Sequence, residues 1–143
     1  DDNMHKIKGF TLIEILIVVA IIGILILFAL VQYNRHMTKT KMLEVIGAAR
    51  IAQLAVPEAA ISEQDLTAIT ASNIGYQFSN NSHKYISNLI IEDHTGVITI
   101  TTNLPSATGT LVFTPSLNST TKQIEWSCSS STINIRYLPL NCH

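Results

Sequence analysis

Glu14 is the most unusual position in the sequence, because it is an acidic residue within a long apolar run. Ile15 to Val31 are seventeen residues without a polar side chain, and between Phe10 and Val31 only Thr11 and Glu14 are polar. A carboxylate inside a membrane costs roughly a few kcal/mol unless it reaches the interface or pairs with a cation. Glu14 therefore predicts either an interfacial position or a cationic partner, and a plain membrane anchor requires no such residue.

The two cysteines, Cys128 and Cys142, are the next residues whose side-chain chemistry is informative. Both lie in the last sixteen residues of the chain. In a domain exported past a membrane, such a pair more often forms a disulfide than two free thiols. A bridge would close a loop of fifteen residues and stabilise the fold by about 3 kcal/mol in the chain-entropy model.

The remaining residues give no sign of catalysis. No two of the five histidines have the i, i+4 spacing with which a helix presents metal ligands. They are His5, His36, His83, His94 and His143. Their order along the chain gives no Ser/His/Asp set either. We expect no enzymatic activity, no metal and no cofactor.

The charge balance argues against nucleic acid as a direct partner. The whole chain has a formal net charge of −1, but residues 42–143 hold four basic and seven acidic side chains, a net of −3. A mildly acidic domain lacks the general positive field that binds phosphate backbones. A small local cluster of Lys84, Lys122 and Arg136 stays open as an alternative.

A long helix is the element that must position Glu14. From Phe10 to Val31 it would measure about 33 Å, close to the thickness of the hydrocarbon core of a bilayer. From Gln32 onward it should continue as an amphipathic helix, with Pro57 ending or kinking it and Glu58 to Ile61 completing a last turn. The predicted buried stripe comprises Met42, Val45, Ile46, Ala49, Ala52 and Val56, widened by Leu43 and Leu54.

Alternating apolar residues after the helix predict an antiparallel sheet and therefore an α+β fold. Four strands are expected from five candidate segments, and Asp93 to Gly96 should form a hairpin turn between the first two. The candidates are Tyr85–Ile91, Val97–Thr101, Leu111–Thr114, Gln123–Cys128 and Ile133–Tyr137. Asp65 to Thr70 should form a turn or short helix. The apolar faces of the strands should pack on the Met42–Val56 stripe.

Two separate motifs resemble type IV pilins. A short basic leader with Lys6 and Lys8, then Gly9, and then Phe-Thr-Leu-Ile-Glu from Phe10 to Glu14 resembles the processing site of that family. At the other end, Trp-Ser-Cys ending at Cys128 and Tyr-Leu-Pro-Leu-Asn-Cys ending at Cys142 resemble the closing segment of major pilins. Residues from about 60 to 120 carry no such resemblance.

The resemblance implies a prepilin that is processed and then assembled. A prepilin peptidase would cut between Gly9 and Phe10 and methylate the new Phe10 amine, and an inner-membrane platform would assemble the subunits into a homopolymer. The precursor would lie in the bacterial inner membrane, and the fibre on the cell surface would serve adhesion, motility or DNA uptake. We expect Glu14 of one subunit to pair with the Phe10 amine of a neighbour, because a buried carboxylate is tolerable when a cation pairs with it.

The type IV pilin fold that the resemblance implies has a long N-terminal helix, an antiparallel sheet and a C-terminal loop bounded by a disulfide. We divide the chain into a removed leader (1–9), a transmembrane and assembly segment (10–31), an amphipathic helical segment (32–57) and a globular head (58–143). The sequence departs from the family at Val31, where many members have proline. Gly23 is then the only helix breaker left in the apolar run, at a cost of about 1 kcal/mol.

Two other kinds of pilin-like protein remain as alternatives. A minor or competence pilin that captures DNA would need a basic patch in the head. A pseudopilin of a type II secretion machine would act as a piston rather than a surface fibre, and the ending from Trp126 to Cys142 argues against it.

Overall fold

The computed structural model describes residues 9–61 and 65–143. They belong to two compact units, one ending at Arg35 and the other running from His36 to His143. The helix α1 extends from Leu12 to Ile61. Its first turn begins at the carbonyl of Thr11, which accepts hydrogen bonds from the backbone N–H groups of Glu14 at 3.1 Å and Ile15 at 3.4 Å. The predicted long helix is confirmed.

Helix α1 continues through Pro57 to Ile61, the last turn that the sequence allowed. Proline removes one backbone donor and is costly in a helix interior. The turns around it are held by tertiary packing, because Val56, Ala59 and Ala60 are all buried in the core of the second unit.

Within residues 9–61 and 65–143, the sheet has four antiparallel strands that pair in the order in which they occur in the chain. They are β1 (Ile86–Ile91), β2 (Ile98–Thr102), β3 (Gly109–Leu117) and β4 (Ile124–Ser130). The α+β class and the count of four are confirmed. On β4, Ile124, Trp126 and Cys128 are half-buried while the residues between them are exposed, as the alternation predicted.

The fifth candidate strand, Ile133–Tyr137, is wrong. The Asn134 side chain accepts a hydrogen bond from the Arg136 N–H at 3.1 Å, and the Tyr137 N–H bonds back to the Asn134 carbonyl at 3.0 Å. These bonds form a short 3₁₀ helix, Ile135–Tyr137. The asparagine thus offers the backbone local partners that compete with a strand ladder.

One hydrophobic core joins α1 to the sheet in the second unit. The six residues of the predicted stripe are buried together with Ile98, Ile100 and Leu111 of the strands. The prediction that Leu43 and Leu54 widen this stripe is wrong, because they are 57% and 74% exposed. Leu54 follows Val45 by nine positions, which places it about 180° around the helix from that buried residue.

The turn between β1 and β2 contacts the core through its glycine. Gly96 has φ +70°, and a Cβ added there would lie 2.9 Å from Ile69 Cδ1 and 3.0 Å from Val56 Cγ1. Ile69 follows the 3₁₀ helix Leu66–Ala68, which is the turn predicted for this segment. The backbone N–H of His94 donates to the Ile69 carbonyl at 2.7 Å. This hydrogen bond links the hairpin turn to the segment after α1.

Candidate processing and assembly site

Gly9 and Phe10 precede α1 and lie at the surface. Neither is helical, both are exposed, and Phe10 is 80% exposed. Among the described residues, apart from the chain neighbour of Gly9, no atom lies within 4 Å of where a Cβ atom on Gly9 would be. A peptidase can reach a peptide bond in such a segment without unfolding a helix. The basic leader with Lys6 and Lys8 lies outside the described residues.

Glu14 lies in the first turn of α1, four residues after Phe10. The positive end of the helix dipole favours a carboxylate at this position. Among residues 9–61, the first basic side chain along the chain is Arg35, and its separation of twenty-one positions corresponds to about 32 Å of helix. No basic side chain among residues 9–61 can therefore reach Glu14, so any cationic partner would come from outside this part of the chain.

The apolar run that follows Glu14 is uncovered. Its bulky side chains are between 48% and 82% exposed from Leu12 to Val31, and Tyr33 beyond them is 61% exposed. In the part of the chain that is described, α1 is the one helix long and apolar enough to cross a membrane. A surface of this size and character requires lipid or other protein chains to cover it.

The disulfide lies in the second unit and closes the C-terminal segment. Cys128 of β4 is bonded to Cys142, with 4.6 Å between their Cα atoms. Cys142 is 2% exposed, and Trp126 and Tyr137 pack against the core near the ends of the loop. The predicted bridge is present, and it belongs to the second unit, whereas Gly9, Phe10 and Glu14 belong to the first.

Two histidines of the described chain, His83 and His94, have positions that the fold explains. The ring of His83 stacks on Phe78 with 5.8 Å between centroids, and His94 lies in the hairpin turn with φ 66°. Across residues 9–61 and 65–143, no three His, Cys, Asp or Glu side chains are grouped so that they could hold a metal ion.

Sequence reasoning missed one surface, the exposed face of α1 in the second unit. Leu43, Ile51 and Leu54 are large apolar residues that lie on this face. Their angular positions, at about 100° per residue, differ from those of the buried stripe. Stricter use of that angle would have separated Leu43 and Leu54 from the core residues.

Comparisons with known proteins agree with this architecture. The family Pilin (bacterial filament) matches residues 38–143, and the prokaryotic N-terminal methylation motif matches residues 4–30. The fimbrial protein EcpC of Eikenella corrodens is 34% identical over 140 residues, which cover 94% of this chain and 90% of that protein. No solved structure matches the chain.

Two further relatives match over shorter stretches. The type IV major alpha-pilin of Moraxella bovis is 39% identical over 94 residues, covering 61% of this chain and 58% of that protein. The type IV major fimbrial protein FimA of Dichelobacter nodosus is 55% identical over 42 residues, covering 29% of this chain and 26% of the relative.

The methylation motif and the uncovered apolar helix together identify a membrane precursor that is exported to a surface pilus. The family match covers residues 38–143, and one relative matches along nearly the whole chain. The chain therefore belongs to the pilin family and is a structural subunit of a bacterial filament.

Proposed function

We propose that the chain is the precursor of a major type IV pilin, cut between Gly9 and Phe10 and methylated on the Phe10 amine. A prepilin peptidase makes the cut, and an inner-membrane platform transfers the subunit into a homopolymer. The division into a leader (1–9), an assembly segment (10–31), an amphipathic segment (32–57) and a head (58–143) belongs to this proposal. The chain performs no catalysis itself, which fits a family of structural subunits.

The observation that carries the proposal is the uncovered apolar half of α1 with a single carboxylate at its start. In the membrane, lipid covers this surface. In the filament, the same surface of other copies replaces the lipid, and Glu14 meets the Phe10 amine of a neighbour. Such a pair fixes the axial register of helices that otherwise present only uniform apolar faces, and a buried charge is stable only when it is paired.

Mass spectrometry of sheared surface filaments tests the processing. Trypsin should release a peptide from Phe10 to Arg35, because no Lys or Arg lies between them, and its mass should include one added methyl group. Filaments whose subunits still carry Lys6 and Lys8 would contradict the proposal, because the Phe10 amine would then not exist.

DNA binding is a second candidate, and one local contact favours it. The amino groups of Lys41 and Lys84 lie 5.5 Å and 5.7 Å from the centroid of the Tyr85 ring. Basic side chains around an aromatic ring are typical of single-strand binding surfaces.

Purified filaments should be mixed with labelled DNA over a salt series. Binding that weakens with salt and is lost in Lys41→Gln/Lys84→Gln would support a DNA-capturing pilin. If the filaments bind no DNA, the structural role is the one function that remains supported.

A further inference from the structure

An open cleft lies in the second unit beside β1, which is an outer strand of the sheet. Residues 77–81 form one wall of the cleft, and Asn88 and Leu89 of β1 form the other. Its volume is about 620 Å³, within the range of about 300–1,000 Å³ that is usual for sites that bind small molecules. The cleft is therefore large enough to hold a ligand.

Side-chain amides dominate the lining of this cleft. Of the seven described residues that line it, four carry a carboxamide, namely Gln77, Asn80, Asn81 and Asn88. All four are exposed, and their side chains make no hydrogen bond within residues 9–61 and 65–143. Asn73 shows the contrast, because its Oδ1 accepts a hydrogen bond from the Thr70 N–H at 2.8 Å. The amides of the cleft are thus available to a ligand.

The ring of Phe78 supplies an apolar part of the same wall. It is half-buried and packs against the core. Its plane lies within 9° of the His83 ring, which stacks on it with 5.8 Å between the centroids. The ring is therefore held in place before any ligand binds, and a rigid wall lowers the entropy that binding costs.

The row of side chains next to the cleft continues its uncharged polar surface across the sheet. Asn88 lies opposite Thr101 of β2, and Thr101 lies opposite Thr110 of β3. The residue that follows each of them on its strand is buried, so all three side chains point away from the core. The Thr110 hydroxyl also lies 2.9 Å from that of Ser131. A ligand that extends beyond the cleft along this row meets amide and hydroxyl groups and no charge.

These groups match the chemistry of a sugar. A carboxamide presents a donor and an acceptor side by side, and a hydroxyl group both donates and accepts. Neighbouring hydroxyl groups on a sugar ring can therefore pair with one carboxamide, while the C–H groups of the ring contact Phe78. An anionic ligand would require basic side chains, and none of the seven lining residues is charged.

We propose that the cleft between residues 77–81 and β1 binds a neutral saccharide. The inference rests on the proposed function for its setting, because a filament on the cell surface carries the cleft many times over. Repetition of one site along a filament raises the apparent affinity for a surface that carries many copies of the sugar. The cleft would thus be a point at which the filament holds a glycan-coated surface.

The test uses the full-length chain, solubilised in an amine-oxide detergent that has no sugar headgroup. The labelled chain is applied to an array of neutral oligosaccharides of glucose, galactose, mannose and N-acetylglucosamine, and it should bind at least one of them. Asn80→Ala/Asn88→Ala should weaken that binding by at least about tenfold, because two hydrogen-bonding groups are lost. Asn80→Asp/Asn88→Asp keeps the shape of both side chains but removes their donors, and it should weaken binding as well.

Asn141→Ala is the matched control, since it removes an exposed carboxamide from the C-terminal segment and should leave binding unchanged. Denaturant unfolding followed by Trp126 fluorescence checks that each variant is folded. The inference would be overturned by a chain that binds no neutral oligosaccharide, or that binds only heparin and other anionic glycans. Equal binding by the natural chain and both Asn80/Asn88 variants would also overturn it.

Filament yield is measured separately, because the array does not require assembly. Normal filaments from a chain that binds no neutral sugar would refute the saccharide site and leave the proposed function intact. Absence of filaments from the natural chain would instead contradict the proposed function, whatever the array shows.

Discussion

The Nδ1 atom of His94 lies 2.7 Å from the backbone oxygen of Thr67, a hydrogen bond between residues twenty-seven positions apart. Because a carbonyl oxygen can only accept, Nδ1 carries the hydrogen. Together with the bond from the His94 N–H to Ile69, this contact fixes the β1–β2 turn to the segment that follows α1. The backbone carbonyl groups of Thr67 and Ile69 thus hold the turn in place.

Replacing Gly96 with alanine should destabilise the head by about 1–3 kcal/mol, because a methyl group there meets Ile69 and Val56 and the backbone has φ +70°. The fluorescence of the single tryptophan, Trp126, reports unfolding in a denaturant titration of the full chain in detergent. Gly75→Ala is the control, since nothing lies within 4 Å of its Cβ position. Equal stability of the two variants would contradict the contact seen at Gly96.

Acid should reduce the stability of the segment that follows α1, because this segment contains Asp65. The Thr67 hydroxyl at 2.7 Å and the Thr67 N–H at 3.1 Å donate to its carboxylate and lower its pKa below the usual 3.8. A carboxyl group whose pKa is lowered in the folded state stabilises that state at pH values above its usual pKa. This stabilisation is lost as the pH falls through the lowered pKa.

The stability difference between the natural chain and Asp65→Ala should therefore be constant above about pH 5 and shrink below pH 3.8. Denaturant titrations at several pH values measure it. Asp93→Ala, whose carboxylate accepts no hydrogen bond within the described residues, serves as the control. A difference that grows on acidification would show that the Thr67 bonds do not favour the charged form.

Removing the disulfide should destabilise the C-terminal segment. The double variant Cys128→Ser/Cys142→Ser frees a loop of fifteen residues and should lose about 3 kcal/mol of stability. Thermal unfolding followed by Trp126 fluorescence measures the loss, and the natural chain treated with reductant should show a similar one. A reduced chain as stable as the oxidised chain would mean that packing of Trp126 and Tyr137 alone holds the segment.

Glu14→Val should leave insertion and cleavage unaffected but reduce filaments at least about tenfold, because the Phe10 amine of the neighbour is then buried without a partner. Filament yield after shearing and the mass of the N-terminal peptide measure the two effects. Thr11→Val removes the other polar side chain of the apolar run and should assemble normally. Normal filaments from Glu14→Val would refute the pairing.

The sequence predicted those parts of the fold that depend on periodic patterns. Spacing identified α1 and its buried stripe, and alternation identified the four strands. It failed at Ile133–Tyr137, where Asn134 supplies local hydrogen bonds that the pattern of apolar residues does not reveal. It also could not show whether the packing around Pro57 would be sufficient to continue the helix, because that depends on which residues of other segments cover Ala59 and Ala60.

The residues proposed to be functional differ in how clearly the sequence indicates them. Glu14 and the Gly9–Phe10 junction stand out because a charge in an apolar run and a glycine before it are visible in the sequence alone. The exposed apolar face of α1 in the second unit was missed, because Leu43 and Leu54 are apolar like the core residues and the composition of a helix does not show which of its faces is buried.

The sequential order of the strands has a consequence for the speed of folding. Because each strand pairs with the next one in the chain, the sheet forms by closing short loops, and proteins dominated by such local pairings fold faster than those with distant ones. Disulfide formation takes roughly seconds to hours, so we expect the sheet to form first and to bring Cys128 and Cys142 together in an already folded head.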